Sequence, residues 1–571
     1  MCESMNRLKL ISSSAIFFVL AACGGGSGDQ TSDSSVGPVQ LAATTTTSAA
    51  AAVTQNEAAR FLTQASFGPT PYELGRVASM GPRAWMDAEF RKNQSLAKPY
   101  FDSWMAQNGG RKPSDVQFYE IFWRNAVMAD DHLRQRVTYA LSQIFVVSMQ
   151  DSDVSGYPRG VGSYYDTLGK YAFANFRDLL QAVTLHPMMG IYLSHMRNKK
   201  EDANRTPDEN FAREVMQLFT IGLYQLNQDG TRKLSNGQPI ETYTHADVAG
   251  LAKVFTGWAW YGPDTTTHRF NNGTADPNRD VLPMQNYAQF HSTSSKTFLG
   301  ASTNGGGAAD LKVALDKLFN HPNVGPFIGR QLIQRLVTSN PSPSYVSRVA
   351  AAFNNNGSGV RGDMKAVLTA VLLDPEARTQ TVDGDSGKIR EPILRLAGWM
   401  RAFNARSTSG KFLMWSLEDP LTGLSQQPMR SPSVFNFYRP GYTPPNTSIA
   451  TAGKVSPEMQ ITGEPSVIGY LNLIQAAVQS GIGENHDILP NYSAEIDMAA
   501  TPDRLLDRIN VLLLSGRMSS TLRGQIKNVL NSIAIPTANN GYSASGLAAR
   551  KNRVYAAIFL AMASPEYIVE Q

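Results

Sequence analysis

The sequence TPDENFAREVMQLFTIG, residues 206–222, has the order of residues that an amphipathic helix requires. Thr206 suits the N-cap, Pro207 the first helical position and Gly222 the position just after the helix end. At about 100° per residue, the large apolar side chains fall on one side of such a helix. These side chains are Phe211, Val215, Leu218 and Phe219. The stretch therefore predicts a helix packed against an apolar core.

The other side of this helix is a polar stripe. It consists of Glu209, Asn210, Arg213, Glu214 and Gln217. Glu209 lies three residues after Thr206, as in a capping box, and four residues before Arg213, where it can form an ion pair. The structural interpretation is therefore that the stripe is helix surface.

A catalytic interpretation of the same stripe stays open. If it faces a cleft, Glu214 has the chemistry of a general base and Arg213 that of an anion-binding group, with Asn210 orienting the substrate. The sequence does not show whether a cleft exists, so both interpretations await the structure.

Apolar residues recur at intervals of three and four along most of the chain, which predicts a mainly α-helical fold with a large multi-helix globular body. The clearest helical segments are residues 137–147, 176–185, 311–318, 328–337, 364–373 and 505–514. The residues near 300–309 are interpreted as a weak boundary between two helical lobes.

Residues 223–243 depart from the helical pattern and predict a small β-hairpin insertion. The turn dipeptides Asp229-Gly230 and Asn236-Gly237 lie between short runs of apolar and aromatic residues. Oxygen-bearing side chains around these turns, chiefly Asp229 and Glu241, suggest calcium as an alternative. Ordinary turn chemistry is the preferred explanation, because the spacing is not that of an EF-hand loop.

The N-terminus has the pattern of a lipoprotein leader. Arg7 and Lys9 precede an apolar run, Ile11 to Leu20, that is shorter than the roughly 20 residues needed to span a bilayer. Small residues then lead to Cys23. We expect residues 1–22 to be a signal peptide and Cys23 to be the lipidated first residue of the mature protein.

The residues after the cysteine predict how the protein is held. Residues 23–54 are rich in Gly, Ser, Thr and Ala and are interpreted as a flexible tether, so residues 55–571 form the helical body. Gly24, rather than an aspartate, follows the cysteine, which favours the outer membrane. The expected location is thus a lipid anchor in that membrane, with the body in the periplasm or at the cell surface.

Composition excludes several classes of function. The chain has 52 Lys and Arg against 47 Asp and Glu, a net charge of +5 that does not indicate a nucleic-acid partner. Its cysteines, Cys2 and Cys23, leave no thiol in the helical body for a zinc site or a nucleophile. Motifs for serine esterases, P-loop enzymes and dinucleotide enzymes are absent as well. No cofactor is predicted.

Several motifs together resemble the bacterial "domain of unknown function 1800" family over nearly the whole body. The motifs are residues 207–222, 243–248, 255–258, 59–70, 164–166, 175–180 and 432–438. Within the second of them, Thr244 and Asp247 are placed as a capping box, and His245 is expected to be an exposed residue of the first helical turn.

The resemblance implies a large exported bacterial protein with no established activity, often encoded beside a protein that resembles sulfatases. That exported protein is a candidate partner. The favoured hypothesis is a lipid-anchored binding or assembly component for a secreted enzyme or polymer. The alternative is a hydrolase or lyase acting on an envelope or extracellular polymer through Asn210, Arg213 and Glu214.

Overall fold

Several helix starts in the structure coincide with capping residues that precede an apolar run in the sequence. In this computed structural model, residues 52–379 and 386–571 are described, so the leader, Cys23 and the tether up to residue 51 lie outside the described residues. Thr54 and Glu57 form a capping box, and Ser342 and Asp363 accept backbone N–H groups at later helix starts. These caps satisfy donors that a helix N-terminus otherwise leaves unpaired.

The first half of the described chain is built mainly from helices. They are α1 (Gln55–Ala65), α2 (Pro71–Glu89), α3 (Lys98–Gln107), α4 (Asp115–Met128), α5 (His132–Ser142), α6 (Ser152–Ser155), α7 (Pro158–Tyr171), α8 (Phe176–Leu185), α9 (Pro187–Tyr192), α10 (Asn210–Gln217), α11 (His245–Val254) and α12 (Thr267–Phe270). Helix α2 is kinked at Gly81, which has a φ of 78° and is followed by Pro82.

Helices also dominate the second half. They are α13 (Gly307–Phe319), α14 (Val324–Leu336), α15 (Pro343–Asn354), α16 (Met364–Leu372), α17 (Pro375–Arg378), α18 (Pro392–Ala402), α19 (Ser448–Thr451), α20 (Glu464–Ser480), α21 (Ser493–Met498), α22 (Pro502–Leu514), α23 (Ser520–Ser532), α24 (Ala544–Ala563) and α25 (Pro565–Ile568). The mainly α-helical prediction is confirmed, and each of the six segments singled out by periodicity lies in or overlaps a helix.

Strands in the described residues are two or three residues long and pair antiparallel in twos. The pairs are β1 (Leu234–Ser235) with β2 (Gln238–Pro239), β3 (Trp258–Ala259) with β4 (Gln285–Asn286), β5 (Lys296–Phe298) with β6 (Ala301–Thr303), β7 (Lys388–Ile389) with β10 (Val569–Glu570), and β8 (Arg406–Ser407) with β9 (Ile488–Leu489). Asn236 and Gly237 both have positive φ between β1 and β2, so the predicted hairpin is confirmed.

One extended apolar core joins helices from both ends of the described chain. Trp85, Trp123 and Trp399 are fully buried in it, together with Phe61 of α1 and Tyr567 of α25. The described residues, 52–379 and 386–571, belong to a single compact unit, and the weak boundary predicted near residues 300–309 lies inside it. None of the helices seen in residues 52–379 and 386–571 is both long and apolar enough to cross a bilayer.

Candidate functional site

Helix α10 begins at Asn210, later than the predicted N-cap at Thr206 implies. The side-chain amide of Asn198 forms two hydrogen bonds with the main chain of Asp208. Its Nδ2 donates to the Asp208 carbonyl at 3.0 Å, and its Oδ1 accepts the Asp208 N–H at 2.9 Å. This pairing holds residues before the helix in a non-helical loop. The Asp208 carboxylate instead accepts the N–H of Asn210 at 2.8 Å. The predicted start was wrong because a distant side chain fixes the preceding loop.

The two faces of α10 otherwise follow the sequence pattern. Phe211 and Val215 are buried in the core, and Arg213 pairs with Glu209 at 3.1 Å, as predicted. Asn210 is exposed and its amide donates to Ser194 Oγ at 3.4 Å. The guanidinium of Arg213 is thus engaged with Glu209 on the surface and forms no ion pair with Glu214.

Glu214 differs from the rest of the stripe because it is buried. The residue is 8% exposed, and its Oε2 has no hydrogen-bond partner among the described residues. Burial raises the pKa of the Glu214 carboxyl, which the charge of Arg213 lowers in part. Burial and the charge of Glu214 both raise the pKa of Tyr243. A carboxyl group with a raised pKa stays protonated at a higher pH than an ordinary glutamate does, and this is the property of a general acid.

Glu214→Gln is expected to raise the free energy of unfolding at pH 7 by about 1 kcal/mol, because it removes a buried charge whose oxygen is unpaired. The folded state binds this proton more tightly than the unfolded chain does. Stability of the native protein therefore falls as pH rises from the ordinary glutamate pKa towards the raised one. Urea unfolding should show that Glu214→Gln is more stable than the native protein at pH 7 and that this difference disappears near pH 4.

The matched control for this substitution is Glu241→Gln, since Glu241 is exposed. It should leave the unfolding free energy unchanged at both pH values. A Glu214→Gln protein that is less stable than the native protein at pH 7 would contradict the prediction and show that the Glu214 carboxylate is needed where it lies.

The start of α11 agrees with its prediction. Thr244 and Asp247 form a reciprocal capping box, and the side chain of His245 is 77% exposed. Its Nδ1 lies 3.7 Å from Glu209 Oε2. His245 therefore belongs to the surface that holds the Glu209–Arg213 pair.

Turn chemistry accounts for the hairpin aspartate. Asp229 Oδ1 accepts the N–H and the hydroxyl of Thr231, at 2.9 and 2.6 Å. Glu241 is exposed, and its main chain forms an antiparallel β-bridge with Tyr224. Across the described residues, no three His, Cys, Asp or Glu side chains are grouped so that they could hold a metal ion. The calcium alternative at Asp229 and Glu241 stays an untested prediction.

A fully buried group of charges, which the sequence interpretation missed, lies between α5, α14 and α18. We call it the ion cluster. It consists of Arg136, Arg335, Lys388, Glu391 and Glu458, each at most 3% exposed. Lys388 Nζ lies 3.2 Å from Glu458 Oε1 and donates to the carbonyl of Arg335 at 2.9 Å. The Arg136 Nη2 donates to the same carbonyl at 2.5 Å.

Neutral side chains complete the surroundings of Glu391. Its Oε2 accepts from Tyr139 Oη at 2.9 Å, Gln143 Nε2 at 2.6 Å and Gln426 Nε2 at 2.7 Å, while Oε1 has no partner among the described residues. Burial alone would raise the pKa of Glu391. The charges of Lys388 and Arg136 outweigh it and hold this pKa below its ordinary value.

A signal for this cluster was present in the sequence. Arg136, Tyr139 and Gln143 are spaced three and four residues apart, so they share one face of α5 and its C-terminal cap. The apolar periodicity of residues 137–147 predicts a helix but does not by itself show that polar residues within the segment are buried. Polar residues at helical spacing inside an apolar segment are the pattern that indicates a buried network.

These features define a mainly α-helical body with short two-stranded elements, a surface ion pair on α10 and a buried ion cluster. A family model described as "Protein of unknown function (DUF1800)" matches residues 60–569, so the chain belongs to this family. The match confirms the resemblance seen in the motifs. No curated protein and no solved structure matches the chain.

Proposed function

We propose that this protein is a lipid-anchored envelope protein that binds a second exported protein through an uncharged apolar surface. The observation that carries this proposal is the solvent side of α20. Support for the anchor comes from the leader pattern that ends at Cys23. The proposed place of attachment is the outer membrane, with the helical body in the periplasm or at the cell surface.

The α20 face, as we name it, consists of Leu421, Val467 and Ile468. Their exposed fractions are 62%, 44% and 57%. Gly469, the residue after Ile468, packs against the main chain of Leu421, because a Cβ atom there would meet the Leu421 carbonyl carbon at 2.9 Å, and this contact holds Leu421 beside the same turn of α20. Adjacent exposed aliphatic side chains of this size mark interaction surfaces more often than isolated ones do.

Helix α20 is also almost free of charge, because Glu464 is the single charged residue among its 17. Further along the helix, a groove of about 280 Å³ lies between α20 and α24. It is lined by Gln475, Val478, Gln479, Asn552, Tyr555, Ala556 and Phe559. A charged polymer finds no counter-charge on this lining. An apolar protein surface that presents an aliphatic or aromatic side chain fits both its size and its chemistry.

The paired substitution Val467→Asp and Ile468→Asp is expected to weaken partner binding at least about 10-fold, because it buries two carboxylates in an apolar contact. The probe is the sulfatase-like exported protein, where one is encoded beside this chain, and the measurement is binding of the two purified proteins by surface plasmon resonance. Val529→Asp is the matched control, since Val529 is 40% exposed on α23.

Equal binding by the native and doubly substituted proteins would overturn the proposal, as would absence of binding by the native protein. Sedimentation of the native body alone tests a second copy as the occupant. If the native body self-associates and the paired substitution abolishes this self-association, the α20 face binds a second copy of the same chain and not an exported partner.

A second candidate function is favoured by the unpaired Glu214 oxygen, which gives a buried carboxyl group of raised pKa on the motif helix. In this hypothesis the protein is a hydrolase or lyase, with Glu214 as the acid or base. The cavities described for this structure are not lined by Asn210, Arg213 or Glu214. Release of soluble saccharide from envelope polymer by the native protein, lost in Glu214→Gln, would favour the enzyme over the binding component.

Cys23→Ser is expected to abolish incorporation of labelled palmitate and to move the protein out of the membrane fraction, because acylation requires the thiol at that position. Cys2→Ser is the control, since Cys2 belongs to the expected leader. Labelling that persists in Cys23→Ser, or that is lost in Cys2→Ser, would contradict the anchor.

A further inference from the structure

The guanidinium of Arg378, at the last position of α17, is unusual because its hydrogen-bonding edge is unused. Its Nε and Nη2 are buried and have no partner among the described residues. These two atoms form one edge of the guanidinium, which binds carboxylate, sulfate or phosphate oxygens in pairs. The group packs over the ring of Phe61, with 5.2 Å between Cζ and the ring centroid.

Arg378 lines a cavity of about 670 Å³ between α1, α2 and the end of α17. The same cavity is lined by Arg60 and Arg83. A second cavity of about 510 Å³ meets it at Arg60 and includes Arg330 in its wall. Both volumes lie within the range of small-molecule sites. The two cavities therefore bring several guanidinium groups to a space large enough for a ligand.

Arg60 fixes the geometry of this space. Its Nη1 and Nη2 donate to the carbonyl groups of Arg378 and Thr379, both at 3.0 Å, and its Nε is buried with no partner in the part of the chain that the structure describes. The donated bonds hold the end of α17 against α1. They also keep the charges of Arg60 and Arg378 close together.

The electrostatic balance at Arg378 favours an added anion. Burial, and next the charge of Arg60, lower the pKa of Arg378, while the charge of Glu570 acts in the opposite direction. Of the carboxylates on the cavity walls, Glu57 is engaged in the cap of Thr54 and Glu376 accepts from Ser342. These acids have partners of their own, and the charge of Glu570 acts on Arg60 and Arg517 as well as on Arg378, so the charge of Arg378 is incompletely balanced.

We propose that Arg378, supported by Arg60, binds the oxyanion group of a ligand in this cavity, a carboxylate or a sulfate or phosphate ester. This site is independent of the α20 face and adds a second ligand to the proposed function. The ligand enters from the 670 Å³ cavity, and a rotation of the Arg378 side chain brings its free edge, which is closed to solvent in this structure, to the two oxygens of the ligand.

Equilibrium dialysis with labelled sulfate and labelled acetate, at ionic strength held constant with chloride, tests the proposal on the purified full-length protein. We expect one anion per chain for at least one of the two probes. Sulfate alone indicates a tetrahedral ester, and acetate alone indicates a carboxylate ligand. Arg378→Met should weaken the binding at least about 10-fold, and Arg378→Lys should weaken it less, because the charge is retained but the paired edge is lost.

Arg83→Met is the matched control, because Arg83 lines the same cavity but its side chain is 65% exposed and pairs with Asp87. It should bind as the native protein does. Absence of binding by the native protein, or equal binding by native and Arg378→Met proteins, would overturn the proposal.

Discussion

Glu391→Ala is expected to lower the free energy of unfolding by about 3–5 kcal/mol, one of the two largest effects that the structure predicts. Glu391 is fully buried and provides one of the two carboxylates of the ion cluster. Its removal leaves Arg136, Arg335 and Lys388 with Glu458 as their remaining buried counter-charge. It also leaves Tyr139 and the amides of two glutamines without their acceptor.

Two further measurements separate the charge of Glu391 from its packing. Glu391→Gln keeps the volume and should lose less stability than Glu391→Ala. Because the pKa of Glu391 lies below its ordinary value in the folded state, its contribution is present at neutral pH and is lost as pH falls through the folded-state pKa. The gap between native and Glu391→Gln proteins should therefore narrow in acid.

Urea unfolding with linear extrapolation is the measurement, and exposed Glu241→Ala is the control, which should stay within ~0.5 kcal/mol of the native protein. If Glu391→Ala is as stable as this control, the ion cluster does not stabilise the fold. An unchanged pH dependence in Glu391→Gln would count against the ionised form of Glu391.

Lys296→Met should be comparably severe, at about 3–5 kcal/mol, because Lys296 is fully buried. Its Nζ lies 2.9 Å from Asp310 Oδ2 and donates to the carbonyl groups of Ser292 and Ser294 at 2.8 and 3.0 Å. Methionine replaces the aliphatic stem but not the charge. Two carbonyl groups and a buried carboxylate then lose a donor at once.

Asp310 joins Lys296 to the rest of this network. Its Oδ2 also lies 2.9 Å from Nε2 of His291, whose Nδ1 lies 2.8 Å from the Thr256 carbonyl oxygen. The double variant Lys296→Met with Asp310→Asn should lose less stability than the sum of the two single losses. Each single variant leaves one buried charge without its partner, whereas the double variant removes both charges. Additive losses would show that the two side chains stabilise the fold independently.

Lys312→Met is the control for Lys296, since Lys312 is 76% exposed and pairs with Asp316 on the same helix. It should change the unfolding free energy by less than ~0.5 kcal/mol. A loss in Lys296→Met no larger than this would contradict the assigned role of the buried lysine.

Local signals in the sequence predicted the positions of the helices well, and the cap at Thr244 but not the one at Thr206. Thr244 with Asp247 and the turn at Asn236-Gly237 each depend on residues that are close in sequence, and the structure confirms both. The start of α10 was misplaced because Asn198, ten residues upstream of Asp208, fixes the loop that precedes it. A contact of this kind is set by tertiary packing and leaves no pattern within the helix itself.

The candidate sites show the same division. The Glu209–Arg213 pair follows from a spacing of four residues, whereas the burial of Glu214 depends on what packs over α10. The ion cluster unites residues up to about 320 positions apart, from Arg136 to Glu458, so periodicity could indicate only its part on α5. The cavity at Arg378 likewise forms where α1 meets α17, which no local pattern predicts.

The pairing of β7 with β10 has a consequence for the timing of folding. Lys388 lies opposite Glu570 in this pair, and the N–H of Arg390 donates to the Ile568 carbonyl at 2.8 Å. Strand β7, which lies beside the ion cluster, therefore pairs with a strand that is synthesised some 180 residues later. During vectorial synthesis this strand pair cannot form before residues 569–570 have emerged, so closure of the fold beside the ion cluster is a late step.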